Sequence, residues 1–219
     1  GADRFYTLVK RGFYNGTLRN GAGVVDEPQR SRVLSLNGVN QYVNLPLPVA
    51  NASTFAAWVK WNGGGDWQRV FDFGSNSLSY FFLTPRNGQT GRLRFAIKSR
   101  ISNEQVLDAP AALPTNTWCH VAVTLDGPSG LRYLNGRPVA TNNGLVTRPW
   151  QVLARTNYIG DSQFATDPTF NGEIDSLRIY GRALSGAAIE QLAAVHPSLA
   201  HRYSSAAHSS DAIGPAHAH

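Results

Sequence analysis

Residues 55–61 read Phe55–Ala56–Ala57–Trp58–Val59–Lys60–Trp61. Phe55, Ala57, Val59 and Trp61 fall at alternate positions, a period of two that a β-strand turns into one continuous face. A helix would scatter the same four side chains around its axis. The stretch therefore reads as a strand with one apolar face, and the Gly63–Gly64–Gly65 loop that follows marks its end.

The flanking sequence repeats this grammar. Val33–Leu34–Ser35–Leu36 runs into the turn dipeptide Asn37–Gly38, and Tyr42–Val43–Asn44–Leu45 stops at Pro46. Further short runs cover Arg69–Phe73, Tyr80–Leu83, Leu93–Lys98, Trp118–Leu125, Asn157–Gly160 and Glu173–Tyr180. Leu131–Leu134 and Arg137–Ala140 flank Asn135–Gly136, the signature of a tight hairpin. The count comes to about a dozen strands, and no strand–helix–strand alternation is present. One helix is predicted, N-capped by Ser185 and running to about Val195, packed on a sheet edge. The expected fold is all-β: a two-sheet antiparallel sandwich of the jelly-roll kind with one short C-terminal helix.

Composition agrees. The 219 residues include 21 glycines and 12 prolines, as a turn-rich sheet protein needs, and 42% are hydrophobic. The net charge of +6 comes from scattered arginines, and no nucleic-acid recognition motif accompanies them. No apolar run is long enough to span a membrane, so no membrane insertion is expected. The single cysteine, Cys119, lies in a strand and reads as a buried thiol.

From about Val33 to Val195 the chain resembles the laminin-G-like (pentraxin-like) jelly-roll domains of bacterial secreted or surface proteins, within the concanavalin A-like group. The motifs that carry the likeness are Leu34–Pro46, Ala57–Lys60, Trp67–Gly74, Leu113–Pro114 with Trp118–Thr124, Tyr133–Gly136, and Phe170–Ser185. The resemblance implies a secreted or cell-surface setting. It also implies one domain over 1–196, with 197–219 a tail, a linker or the opening strand of a following repeat. Residues 199–204 and 2–8 look like openings of such a domain, so other domains of a parent protein are candidate partners. Five of the six histidines fall in 196–219, in a spacing that matches no standard metal site.

The resemblance also implies a structural calcium, with Asp175 on the final strand, Asp3 near the start, and carbonyls of Gly38 or Asn40 completing the set. Asn stands at 37, 40 and 44, where that motif often has Asp, which lowers the charge available to the ion.

A glycan site needs aromatic platforms and planar polar groups. Trp61 and Trp67 flank the triple-glycine loop, and Trp150 stands in a loop of its own; Arg69, Asp72, Asn103, Glu104, Asp161 and Gln163 are the polar candidates, with the turn-rich loop 161–168 as a binding rim. Trp58 and Trp118 read as core residues. Catalysis has little to stand on. The four glutamates, at 27, 104, 173 and 190, form no E-x-D-x-E pattern, and Glu173 with Asp175 is the one pair that shares a strand face. The expectation is a non-catalytic binding module for a polysaccharide or glycoconjugate. The rivals are a protein–protein adhesion module and a glycan-active hydrolase or lyase.

Overall fold

The computed structural model describes residues 16–46 and 49–194. Fourteen strands form two seven-stranded antiparallel sheets. In the first sheet the order is β1 (Thr17–Arg19), β4 (Tyr42–Asn44), β13 (Thr156–Ile159), β6 (Phe71–Asn76), β7 (Ser79–Thr84), β8 (Arg94–Lys98) and β9 (Gln105–Asp108). In the second it is β12 (Arg137–Asn142), β11 (Ser129–Leu134), β10 (Trp118–Asp126), β5 (Thr54–Trp61), β14 (Asn171–Tyr180), β3 (Ser31–Asn37) and β2 (Gly23–Glu27).

The alternation read in 55–61 is what places β5. Phe55, Ala57, Val59 and Trp61 all point into the space between the sheets and are closed from solvent. Phe55 stacks on Phe71 with ring centroids 5.2 Å apart and meets Phe81 at 5.4 Å, so the central strands of the two sheets interlock through aromatic rings. Such a residue contributes about 3–5 kcal/mol over alanine in a packed core. Gly172 on β14 has φ +151°, and a Cβ there would lie 2.2 Å from the Lys60 carbonyl oxygen. The close approach of β14 to β5 thus explains the glycine of Asn171–Gly172.

The structure adds four elements that the sequence patterns left unread: β1, β2, β9 and the one-turn helix α1 (Pro149–Val152). Helix α2 (Gly186–Ala194) begins where Ser185 caps it, its hydroxyl accepting the Ala188 N–H at 3.3 Å. It lies on the outer face of the second sheet, where Ile189 and Leu184 pack on Ala56, Ala122, Tyr133 and Tyr180, rather than on the sheet's edge alone. Cys119 is a buried free thiol. Arg132 of β11 is 1% exposed, and none of its three guanidinium nitrogens has a hydrogen-bond partner among the described residues. The tail 197–219 and the openings at 2–8 and 199–204 lie outside the described residues.

Candidate functional site

The outer face of the first sheet is unusually apolar for a surface. Inward side chains Phe71, Phe73, Phe81, Leu83, Phe95 and Ile97 belong to the core. Pleating therefore sends Asp72, Tyr80, Phe82, Arg94, Ala96, Val106 and Asp108 outward. Tyr80, Phe82 and Ala96 form a second apolar cluster roofed by Trp67, Val106 and Phe164. Trp67 meets Phe82 edge-on at 6.4 Å, and Phe164 meets Tyr80 at 5.2 Å. Trp67 and Phe164 themselves are half-buried, so each offers part of its ring to solvent.

Charged groups thread this aromatic patch in fixed positions. The Arg69 guanidinium lies 3.9 Å from the Phe82 ring centre, donates to Asp167 at 2.6 Å and stands 3.4 Å from Asp72. Asp72 is fully buried and accepts the backbone N–H of Gln163 at 3.1 Å. Burial pushes its carboxyl up to about 7, against the pull of Arg69 and of the Gln163 and Ser162 donors. Arg94 donates to both carboxylate oxygens of Asp108, at 2.7 and 2.8 Å, the forked geometry suited to guanidinium. The Tyr80 hydroxyl donates to Glu104 at 2.5 Å. Burial raises the carboxyl of Asp161 and, with Asp161 as the next cause, the phenol of Tyr158.

Two loops carry the rim. Trp67 has φ +67°, left-handed backbone that a bulky residue holds only under constraint. Its N–H is tied to the Arg86 carbonyl at 2.9 Å, and Gly88 leaves room for its indole nitrogen. The segment 161–169 is closed at its base by the Phe170 N–H, which donates to the Gly160 carbonyl at 2.8 Å. It rests on the sheet through Asp72, Arg69 and Tyr80.

Of the residues singled out from sequence, Trp67, Arg69, Asp72, Asp161 and Gln163 gather on this face. Trp61 does not. It is 2% exposed in the core, with Nε1 donating to Gln68 at 3.0 Å, and has no free face to offer a sugar. Trp150 is 60% exposed, but α1 packs by the Ser79 end of β7 while Trp67 is tied beyond the Thr84 end. A strand of that length separates the two by roughly 17 Å. Glu104 joins the face through the Tyr80 hydroxyl, and Phe164 through the rim loop 161–168, whereas the patterns missed Tyr80, Phe82 and Asp108 as parts of it. Tyr80–Leu83 is apolar at every position, and this was the available signal: a strand apolar on both faces is covered on both.

The outer face of the second sheet is occupied by the protein itself. Beside α2, the Arg30 guanidinium sits 3.9 Å from the Trp58 ring centre and 5.4 Å from that of Trp118, and pairs with Asp175 at 2.9 Å. Trp58 and Trp118 are therefore half-buried clamps around an arginine and not core residues. His120 packs edge-on against Trp58 at 5.5 Å. Burial holds its imidazole down to about 4, with Arg178 and Arg30 adding to the effect. Lys60 pairs with Glu173 at 3.2 Å.

Among the described residues, the expected calcium donors Asp175, Gly38 and Asn40 are not brought together. The Asp175 carboxylate is taken by Arg30, and Asp175 lies four residues along β14 from Asn171, which pairs with Asn37 of the Gly38 turn, a span of roughly 13 Å. The Asn40 carbonyl accepts the Asn20 side chain at 2.7 Å. Asp3 lies outside the described residues. Among those described, no three His, Cys, Asp or Glu side chains are placed to hold a metal ion.

Comparison with known proteins places this architecture. Residues 37–190 match the laminin-G-type family described as the concanavalin A-like lectin/glucanases superfamily. No curated protein sequence matches the chain. Among solved structures, domain 4 of AbnA, a GH43 extracellular arabinanase from Geobacillus stearothermophilus in complex with arabinotriose, is 22% identical with a TM-score of 0.66, over 88% of either chain. The CBM40 of the Ruminococcus gnavus IT-sialidase, bound to α2,3-sialyllactose, is 17% identical with a TM-score of 0.57, over 66% of this chain and 83% of that one. A structure from botulinum neurotoxin type C, whose cell entry depends on two ganglioside molecules, is 18% identical with a TM-score of 0.64, and the chain spans 50% of its length. These identities establish the shared fold. With a family match over well more than half its length, the chain belongs to the concanavalin A-like lectin/glucanases superfamily.

Proposed function

We propose that the chain is a non-catalytic, secreted or cell-surface module that binds an uncharged saccharide on the outer face of its first sheet. One observation carries the reading: the half-exposed rings of Trp67 and Phe164, seated on a buried floor of Tyr80 and Phe82, are interleaved with hydrogen-bonding groups already fixed in place. Ring faces pack against sugar C–H surfaces, and oriented carboxylates and amides take up hydroxyls. The structural neighbours support a saccharide ligand, since those named above are described with arabinotriose, sialyllactose or gangliosides, and of these only arabinotriose is uncharged.

Charge selects among them. Arg69, Arg94 and Lys98 stand on this face against Asp72, Glu104, Asp108, Asp161 and Asp167. Both arginines are already paired. A sialic or uronic acid would meet an excess of carboxyl groups despite the chain's overall positive charge, and like charge disfavours it. A neutral sugar meets no such barrier. Binding rather than catalysis is supported by the fate of the one carboxylate pair on a shared strand: Glu173 is held by Lys60 and Asp175 by Arg30.

Calorimetric titration tests the proposal. Neutral oligosaccharides (arabino-, xylo- and gluco-) are compared with sialyllactose and oligogalacturonate. Binding confined to a neutral series supports the reading. Tighter binding of the acidic sugars refutes the charge argument, and no binding to either series leaves the adhesion module as the better account.

A further inference from the structure

Five of the large apolar side chains that the fold leaves exposed gather at one end of the first sheet. They are Leu78, Ile101, Val146, Trp150 and Leu153, and Ile101 is 92% exposed. Hydrogen bonds join the three segments that carry them. Ser75 and Ser79, on either side of Leu78, donate to the carbonyls of Leu153 and Val152 at 2.6 and 2.8 Å. The Thr147 hydroxyl donates to Ser102 at 3.2 Å, setting the Ile101 loop beside Val146. Leu153 ends α1 in left-handed backbone, φ +55°, and is 67% exposed. The tips therefore stand together as a set of projections, not as a groove.

The charges carried by these segments are of one sign, and the carboxylate that follows the Ile101 loop in sequence, Glu104, is held by the Tyr80 hydroxyl and Arg94. Segments 75–79, 99–103 and 143–155 contain Arg100, Arg148 and Arg155 and no Asp or Glu. Asp126 of the neighbouring turn acts on Arg148. Arg100 and Arg155 are exposed and have no ion pair among the described residues. Apolar tips that include a tryptophan, ringed by arginine, match the boundary of an anionic bilayer, where rings and aliphatic side chains enter the headgroup layer and guanidinium groups meet phosphate. This end lies beyond Ser79 and Lys98, at the opposite ends of β7 and β8 from Trp67, and adjoins the saccharide face only at Tyr80 and Glu104.

We infer that this end of the sandwich is a peripheral docking surface for anionic lipid membranes. The test is co-sedimentation of the full chain with vesicles of phosphatidylcholine alone or with roughly one lipid in three replaced by phosphatidylglycerol. The chain is expected to sediment with the anionic vesicles and to be released by salt. Ile101→Ser with Leu153→Ser should weaken partitioning about tenfold. Arg100→Glu with Arg155→Glu should abolish the preference for anionic vesicles while leaving the melting temperature unchanged. The inference is overturned if the parent chain ignores anionic vesicles, or if these variants bind as well as it does. It is also overturned if light scattering finds a dimer that Ile101→Ser with Leu153→Ser dissolves, since the tips would then pair two copies of the chain.

Discussion

The Nε of Arg69 lies 3.4 Å from Oδ2 of Asp72, while Oδ1 of the same carboxylate is buried with no hydrogen-bond partner among the described residues. One half of the group is paired and the other half is stranded. Burial outweighs the arginine, so the group sits up at about 7 from an ordinary value of 3.8. Between those values the folded chain keeps a proton that the unfolded chain releases, and the contribution of Asp72 to stability falls as pH rises through the window. His120 works in the opposite sense. Held at about 4 against an ordinary 6.5, it stays neutral in the fold while the unfolded chain takes up a proton, so its contribution is full above 6.5 and is lost as pH falls towards 4. Asp72→Asn should leave the His120 slope unopposed, with a melting temperature that climbs more steeply from about pH 4.5 to about 6.5 than the parent's. His120→Gln should do the reverse. Identical pH profiles for parent and both variants would contradict this account.

Trp67→Ala removes one of the two half-exposed rings of the proposed saccharide face. Affinity for a neutral oligosaccharide should fall about tenfold or more, a typical loss for one aromatic contact at a binding centre. Trp150→Ala, at the far end of β7, should leave the same titration unchanged. Equal losses from the two variants would place the sugar elsewhere.

Arg132 has no hydrogen-bond partner among the described residues, and Asp108 acts on it only at a distance. Burial holds its guanidinium down to about 9. Removing a desolvated, unpaired polar group in favour of an apolar one of similar length is stabilising. Arg132→Met should therefore raise the unfolding free energy by about 1–3 kcal/mol in urea denaturation. A loss of stability would mean that the guanidinium is satisfied in solution by something that methionine cannot replace.

Since Asp175 is engaged by Arg30, chelation should matter little. The melting temperature and saccharide affinity should be the same in calcium and in EDTA. Conversely, Asp175→Asn should lower stability by about 3–5 kcal/mol whether calcium is present or not, because it strands Arg30 between Trp58 and Trp118. A calcium-dependent melting temperature would restore the metal site implied by the family resemblance.

The parts legible in the sequence are those set by local repetition. Phe55–Trp61 announces β5 and its inward face because the pleat has a fixed period, and Asn135–Gly136 announces a hairpin because the turn demands those residues. Ser185 marks the start of α2 for the same kind of reason. What stayed hidden depends on residues distant in the chain. Trp58 is polar-faced because Arg30, on another strand's turn, covers it. Trp61 flanks a glycine loop yet is closed in by the opposite sheet. β9 is an edge strand whose place is set by Arg94 and Asp108, and no local pattern marks it. Arg69 and Asp72 were legible as charged residues breaking an apolar strand run, and Asp161 and Gln163 because they lie in a polar, turn-rich loop. Their aromatic floor was not, because it is assembled from β7 and a loop some eighty residues later.

The nine residues of 161–169 leave and rejoin the sandwich at two positions joined by one backbone hydrogen bond, and they meet the sheet through a handful of polar contacts and one ring. Such an Ω-shaped segment works as a cassette. Lengthening it has a small entropic cost and does not disturb the aromatic core beneath. On the proposed saccharide face, preference would drift between descendants of one scaffold through this segment, and a directed library is best confined to it, with Asp167 kept as its anchor to Arg69.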